Sequence, residues 1–144
     1  MNLDVLRSEG KRMSIEELPK QECLELLQHE SHVGRVAFIA DGRPMILLVN
    51  YMADETSIVF CTVPGDKVGN SGGTAPVAFE VDVIRPLYNA DWSVVVQGTA
   101  VEIVDPGELE LLQRGPLEPW GAPEAEHWVR ITIEDIYGRR VPDS

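Results

Sequence analysis

The chain has 144 residues, 44% hydrophobic and 25% charged, which is the length and composition of one soluble domain built around a single core. Its 24 acidic and 12 basic side chains give a formal net charge of -12, which repels nucleic-acid phosphates and anionic lipid and argues against both as partners. The sequence contains no stretch of the ~20 apolar residues that cross a bilayer and no secretory signal, so we expect a cytoplasmic protein.

The chain is expected to open with a flexible segment, residues 1–13, followed by a single domain over residues 14–144. Ser14 and Glu17 have the spacing of a helical capping box, and after Pro19 apolar residues recur with a helical period. We therefore predict short helices up to about residue 29.

Three strands are predicted next, because apolar residues then alternate with a period of two. The strands cover residues 33–40, 44–52 and 57–62, with turn signals at Asp41-Gly42 and Asp54-Glu55. Such short connections favour antiparallel pairing, since parallel neighbours need a crossover of a dozen or more residues.

Residues 75–83 alternate cleanly and predict a half-buried strand with Glu80 and Asp82 on the face opposite its apolar residues. Residues 92–104 form a strand too long to stay flat, and Gly98 at its middle predicts a bend or bulge. Asp105 then begins a short helix that stops at Gly115.

A Pro/Gly-rich loop leads to the last predicted strand, H-W-V-R-I-T-I, over residues 127–133. Six strands with few helices predict a mainly β fold, a small antiparallel barrel with a sandwich as the competing architecture. On the last strand Trp128 and Arg130 share a face, about 7 Å apart. This pair suits either a ring system with an anionic tail or a partner subunit's surface.

Sequence motifs exclude several kinds of site. The chain has no phosphate-binding P-loop and no G-x-G-x-x-G, and H-E-S-H at residues 29–32 lacks the spacing of a zinc protease. No nucleophile elbow is present either. We therefore predict no metal site and identify no catalytic residue.

The ordered segments V-G-R-V-A-F, D-G-R-P-M-I-L-L-V-N-Y, I-V-F-C-T-V-P-G-D-K, V-A-F-E-V-D, W-S-V-V-V-Q-G-T-A and W-V-R-I-T-I-E-D-I-Y-G-R-R resemble the pyridoxamine 5'-phosphate oxidase-related proteins over roughly residues 14–141. The resemblance implies a six-stranded antiparallel split barrel of Greek-key type with short flanking helices. It also implies a homodimer that holds flavin mononucleotide (FMN) at its interface, or a deazaflavin as in some relatives.

The resemblance assigns cofactor phosphate binding to the stretch after the third strand, here Thr62, Gly65 and Lys67. Physical chemistry agrees, because a dianionic phosphate needs several donors, and a hydroxyl, turn amides and an ammonium supply them together. The alternative is that Lys67 is a solvated loop lysine.

Other parts of the cofactor site follow from the same resemblance. Leu48, Val49 and Asn50 match a P-V-N-Y segment that lines the flavin ring, with Leu48 in place of proline. Trp92 and Ser93 occupy the position of an Arg-Gln pair that reaches the cofactor, or Trp92 packs in a dimer core. Trp128 and Arg130 complete the predicted cofactor residues. Trp120 in the Pro/Gly loop either covers the cleft or packs on its own domain. Arg139 and Arg140 either approach the phosphate across the dimer or form a solvated charged tail.

The function implied is a flavin-dependent oxidoreductase that transfers hydride or electrons to or from a small molecule. A flavin-binding carrier or sensor without turnover is the alternative, and a dimeric scaffold without cofactor is a third. Oxidation of pyridoxamine phosphate itself is not expected, because the sequence ends at G-R-R-V-P-D-S without the substrate-holding extension of the founding oxidases.

Overall fold

The computed structural model describes residues 15–62, 68, 74–85, 91–117 and 127–141. Its elements in chain order are β1 (Glu16–Leu18), α1 (Lys20–His29), β2 (Val33–Ala40), β3 (Arg43–Ala53), β4 (Ser57–Thr62), β5 (Ala75–Val83), β6 (Asp91–Glu102), α2 (Pro106–Arg114) and β7 (His127–Val141). The predicted flexible segment of residues 1–13 lies outside the described residues. No helix in the described ranges is long and apolar enough to span a membrane.

The strands form one antiparallel sheet in the order β1-β7-β4-β3-β2-β5-β6, and β7 also pairs with β6. This second pairing closes β2 to β7 into a six-stranded barrel, which confirms the predicted barrel over the competing sandwich. The chain leaves β4 and re-enters the sheet as β5 beside β2 rather than beside β4, as a Greek-key connection does.

The short strand β1 corrects the sequence-based prediction of a helix at this position. Residues 16–18 pair antiparallel with β7, so that Glu16 lies opposite Arg140 and Glu17 opposite Arg139. Leu18 is buried in the main core. The ladder with β7 and the burial of Leu18 stabilise the extended form, so tertiary pairing overrides the local capping-box pattern. Ser14 itself lies outside the described residues.

The turn and bulge predictions are confirmed. Asp41 and Gly42 have φ values of 53° and 75°, the left-handed geometry of a tight hairpin turn. Between Gln97 and Gly98 the pairing with β7 shifts by one residue, from Asp135 to Ile133, which leaves Glu134 as the extra residue of a β-bulge. The long strands β6 and β7 bend at this point.

The interior of the barrel holds the main apolar core. Its largest fully buried side chains include Phe60, Phe79 and Leu27, and the ring of Phe79 meets that of Tyr51 edge to face at 4.9 Å. The Tyr51 hydroxyl donates a 2.6 Å hydrogen bond to the Leu27 carbonyl, and burial of this hydroxyl raises the pKa of Tyr51. Helix α1 is thereby held against the barrel.

Helix α2 lies on the outside of the barrel and begins and ends where the sequence predicts. The carboxylate of Asp105 accepts a 2.9 Å hydrogen bond from the Glu108 amide, and Gly115 follows the last turn. The helix covers a small second apolar cluster that β4 and β7 contribute to, consisting of Val59, Cys61, Ile103 and Trp128. Both cysteines, Cys23 and Cys61, are buried thiols.

Candidate functional site

The predicted ring-lining segment lies in the middle of β3. The register with β2 places Leu48 opposite Arg35 and Val49 opposite Gly34. Because side chains alternate along a strand, Val49 points into the core, where it is 2% exposed, while Leu48 points outward and is 38% exposed. Asn50 shares the outer face with Leu48 and is half-buried. This face of β3 can therefore offer an apolar side chain and an amide to a ligand.

Thr62 ends β4 at one end of the barrel, where it pairs with His127, the first residue of β7. Both side chains are buried. The ring of His127 lies with Nε2 2.9 Å from the Val68 carbonyl oxygen and Nδ1 3.3 Å from a carboxylate oxygen of Glu102. Gly65 and Lys67, the other predicted phosphate ligands, lie outside the described residues.

His127 was not among the residues singled out from the sequence. Its signal was present, because it has the same parity as Val129 and Ile131 on β7 and must therefore face inward with them. What the sequence could not show is its partner, since Val68 is 59 residues away along the chain.

Trp128 and Arg130 share the outer face of β7, as the alternation predicted, and both meet helix α2. Trp128 is 3% exposed within the second cluster. Its indole Nε1 has no hydrogen-bond partner among the described residues. A buried, unpaired donor of this kind is uncommon and marks a position where a ligand acceptor would be favoured.

Arg130 is engaged with the carboxylate of Glu108 on α2 through two hydrogen bonds, one of them 3.1 Å long. The hydrogen bonds to the guanidinium lower the pKa of Glu108, and those to the carboxylate raise the pKa of Arg130. Arg130 would have to leave this ion pair, or share it, to bind an anion.

Trp92 and Ser93, neighbours on β6, point to opposite faces of the strand. Trp92 packs against the main core, while Ser93 lies between Asp82 of β5 and Arg139 of β7 in the ladder. One open depression of about 310 Å³ on the barrel surface is lined by Asp82, Trp92, Ser93 and Arg139.

Arg139 makes no ion pair within the described part of the chain, whereas Arg140 pairs with Glu22 at 2.9 Å. Trp120, the considered cover residue, lies outside the described residues.

The predicted cofactor residues thus fall into two groups on one protomer. The first surrounds β4 and comprises Leu48, Asn50, Thr62, Trp128 and Arg130. The second group surrounds Ser93 and Arg139, where β6 begins and β7 ends. Trp128 and Arg139 are eleven positions apart on β7, roughly 36 Å of strand at about 3.3 Å per residue. Trp128 and Arg139 are therefore far apart along β7 within one protomer.

An ion cluster on the outer face between these groups was missed by the sequence analysis. One guanidinium nitrogen of Arg35 lies 3.1 Å from Glu80 and 3.2 Å from Asp82. Burial, followed by the hydrogen bond and charge of Asp82, raises the pKa of Glu80 to about 7, and Arg35 opposes this only in part. The alternation of β5 already placed both acids outward, but the arginine comes from β2, which the sequence alone could not align with β5.

Comparisons with known proteins agree with this architecture. The sequence model described as pyridoxamine 5'-phosphate oxidase matches residues 19–140. A Mycobacterium tuberculosis protein described as uncharacterised is 32% identical over 130 residues, which cover 87% of this chain and 84% of that protein.

Solved structures resemble the whole barrel. A Corynebacterium glutamicum protein provisionally named as a pyridoxamine 5'-phosphate oxidase is 31% identical, with a TM-score of 0.74 over 88% of this chain and 97% of its own. The FAD binding protein of Mycobacterium smegmatis is 26% identical, with a TM-score of 0.63, and covers 88% of this chain and 98% of its own.

An FAD-binding protein of Mesorhizobium loti is 25% identical, with a TM-score of 0.68 over the same 88% of this chain and 98% of its own. The family match spans nearly all of the described barrel, from the start of α1 to the end of β7. The chain therefore belongs to the pyridoxamine 5'-phosphate oxidase family of split-barrel proteins.

Proposed function

We propose that the protein binds a flavin nucleotide and uses it as an oxidoreductase acting on a small molecule. The observation that carries this proposal is the similarity, over 88% of the chain, to two solved proteins described as FAD-binding. FMN, FAD and a deazaflavin share a tricyclic ring and a phosphorylated tail, and the proposal concerns this shared chemistry.

The residues of the first group fit a flavin ring. β3 exposes Ile46, Leu48 and Met52 on its outside, at 67%, 38% and 39% of their surface. Ligand pockets are mostly apolar with a few polar groups that fix orientation, and Asn50 and the unpaired Trp128 Nε1 are suitable polar groups. These side chains can cover a flat aromatic ring and meet its heteroatoms at the edge.

The phosphate requires a local positive charge in a protein of net charge -12. Within the described residues Arg35, Arg114, Arg130 and Arg140 are each paired with a carboxylate. On the strength of the family resemblance we propose Lys67, with Thr62 and Gly65, as the phosphate ligands.

The proposal includes a homodimer. A second copy could place its Ser93 and Arg139 beside the first group of its partner. The exposed apolar side chains of β3 would be covered in the same assembly.

When bound, the flavin supplies the hydride or electron transfer. The side chains of this protein orient the ring, donate hydrogen bonds to its heteroatoms and exclude water from it. A carrier or sensor would use the same contacts without turnover.

Cofactor choice and the phosphate ligands can be tested together. Titration of the purified protein with FMN, FAD and deazaflavin should quench the fluorescence of at least one of them at micromolar concentration. Lys67→Ala should lower the affinity for that cofactor by about 10 to 100-fold, as expected for loss of a charge-assisted hydrogen bond. Lys20→Ala, on the exposed start of α1, is the matched control and should leave affinity unchanged. If none of the cofactors binds, the flavin proposal is wrong.

Turnover is tested separately. NADH or NADPH should bleach the absorbance of the bound flavin faster than that of free flavin. If the bound flavin stays oxidised with every nicotinamide donor, and the prereduced protein passes no electrons to acceptors, the carrier or sensor is the correct function.

A further inference from the structure

Helix α2 lies on the barrel without a buried residue of its own. Every residue from Pro106 to Arg114 is at least partly exposed. Two partly buried leucines, Leu109 and Leu112, pack against the second apolar cluster, which includes Trp128 of β7. Elements with few buried apolar contacts open at low free energy, so α2 can move while the barrel stays folded.

An ion pair joins this helix to β7. The Glu108 carboxylate accepts two hydrogen bonds from the guanidinium of Arg130, one of them 3.1 Å long. Such two-bond pairing is the geometry in which arginine recognises carboxylates in general. The side chains of Arg130 and Glu108 are 32% and 35% exposed, so water screens the pair and another carboxylate can exchange with Glu108.

The surroundings of Arg130 make Glu108 the group that an incoming anion would replace. Glu108 raises the pKa of Arg130 most, through its hydrogen bonds, and the charge of Asp54 adds to this. Asp54 lies between β3 and β4, where one of its oxygens already accepts hydrogen bonds from the Thr56 and Ser57 amides, each 2.8 Å long. Glu108 therefore occupies the position on Arg130 that a ligand carboxylate would take.

Trp128 lies under the same helix, two residues before Arg130 on the outer face of β7. It is 3% exposed, and its Nε1 has no hydrogen-bond partner in the described ranges. A buried donor without an acceptor is costly, so the present position of α2 leaves a group that a ligand would satisfy. The contact proposed above between Nε1 and a flavin also requires α2 to move, because Trp128 is buried while the helix covers the cluster.

We propose that α2 is a lid over a substrate site, and that a small-molecule carboxylate opens it by taking the place of Glu108 on Arg130. This inference rests on the proposed function and names the class of its substrate. Glu108 is the specificity-determining residue, because a neutral molecule cannot compete with its carboxylate for the guanidinium. Elsewhere the net charge of -12 repels anions, so the local cation defines where the substrate binds.

The experiment uses benzoate as the probe and benzamide as its neutral equivalent of the same shape, with calorimetry on the full-length protein. Glu108→Gln removes the competing charge and should raise benzoate affinity about 10-fold, while benzamide affinity changes less than about twofold. Arg130→Gln should lower benzoate affinity at least about 10-fold. If Glu108→Gln binds benzoate no more tightly than the unmodified protein at up to about 10 mM, the inference is wrong.

Glu110→Gln is the matched control on the same helix. Glu110 pairs with Arg114 at 2.6 Å, and its side chain is 63% exposed. The variant makes the same change in charge away from Arg130, so its benzoate affinity should stay within about twofold of the original. An equal gain in both variants would show a general effect of charge and overturn the role of Glu108.

Movement of the lid is measured on the unmodified protein and so does not depend on the folding of any variant. Amide hydrogen exchange of residues 109–112 should become faster with benzoate at about 10 mM and stay unchanged with benzamide. Unchanged or slower exchange with benzoate would show that α2 does not open.

FMN distinguishes a substrate carboxylate from the phosphate of the flavin itself. Benzoate and FMN should bind together, so saturating FMN should change the benzoate affinity of the Glu108→Gln protein less than about threefold. If FMN excludes benzoate and riboflavin does not, the flavin phosphate occupies Arg130 and the substrate site is overturned. If no flavin binds but Glu108→Gln still strengthens benzoate binding, the flavin proposal fails and the carboxylate site stands.

Discussion

Glu80 shows how a single side chain can make the stability of this barrel depend on pH. Its carboxylate lies beside that of Asp82 on the outer face of β5, and the pKa of Glu80 is raised to about 7. An unfolded chain has its glutamate pKa near 4.3. Between about pH 4.3 and 7 the folded protein therefore binds more protons at this site than the unfolded chain, and stability falls as the pH rises.

Glu80→Gln should remove this dependence. The difference in free energy of unfolding, variant minus unmodified protein, should increase by about 1 kcal/mol between pH 5 and pH 8. This is less than the full pKa shift would give, because the Glu80 side chain is 32% exposed and solvent screens its charge. Urea unfolding of both proteins at the two pH values, at one protein concentration, measures the difference. A constant difference, or one that shifts toward the unmodified protein at pH 8, would show that the Glu80 pKa is not raised.

Individual residues were predictable from the sequence where local geometry determines them. Gly98 was predicted at a bulge, and Glu80 and Asp82 on the outer face, because each depends only on strand alternation or on a missing side chain. The contact of His127 with Val68 was not predictable, because Val68 is 59 residues away along the chain. Likewise the partner of Arg130 is Glu108, 22 residues away on a helix.

At the scale of the elements, the β6–β7 ladder depends on the absence of a side chain at Gly98. A Cβ atom built at this position would lie 2.0 Å from the carbonyl oxygen of Thr132. That oxygen belongs to the backbone of β7 and cannot rotate away, so a side chain would push apart the strands that close the barrel.

Gly98→Ala should therefore lower the free energy of unfolding by about 3 kcal/mol, at the upper end of typical overpacking losses. Gly107→Ala is the matched control. A Cβ atom built at this exposed position on α2 would lie 3.4 Å from its nearest neighbour atom, an ordinary contact distance, and alanine favours a helix. The control should be unchanged or up to about 1 kcal/mol more stable. Urea denaturation of the two variants checks both values, and a stable Gly98→Ala protein would show that the ladder tolerates a side chain here.

Both ends of the barrel sequence show where element prediction fails. β7 was predicted to cover residues 127–133 but continues to Val141, because the bulge at Glu134 interrupts the alternation that reveals a strand. β1 was predicted as helix because Ser14 and Glu17 have the spacing of a capping box, and a strand of three residues is too short to show an alternation. Each error concerns a segment whose extended form is stabilised by a distant strand.

At the scale of the whole molecule, the barrel and the family were predictable from the order of the strand motifs, whereas the assembly of the site was not. The predicted cofactor residues occupy two separated surfaces, and strand patterns contain no information on how a second copy would align them. The surface of β2 and β3 suggests where that copy binds. Ile39 and Ile46 are 63% and 67% exposed, and the register places them on the same outer face as Leu48.

We expect the protein to be a homodimer with a mass of about twice its 16.0 kDa. Ile46→Glu places a charge on the apolar face of β3 beside Glu80, which should dissociate the dimer at micromolar concentration and weaken flavin binding at least 10-fold, because burying an unpaired charge is costly. Light scattering coupled to size-exclusion chromatography measures the mass, and fluorescence titration measures the affinity.

Leu111→Glu provides the control, since Leu111 is 71% exposed on α2 and does not belong to the β2–β3 face. This variant should remain dimeric and keep its flavin affinity, which would show that the effect of Ile46→Glu comes from the position of the charge and not from charge alone. A monomeric unmodified protein that still binds flavin tightly would mean that one barrel completes the site by itself. In that case Arg139, which lies so far from Trp128 along β7, and its ladder partner Ser93 of β6 would have no part in the cofactor site.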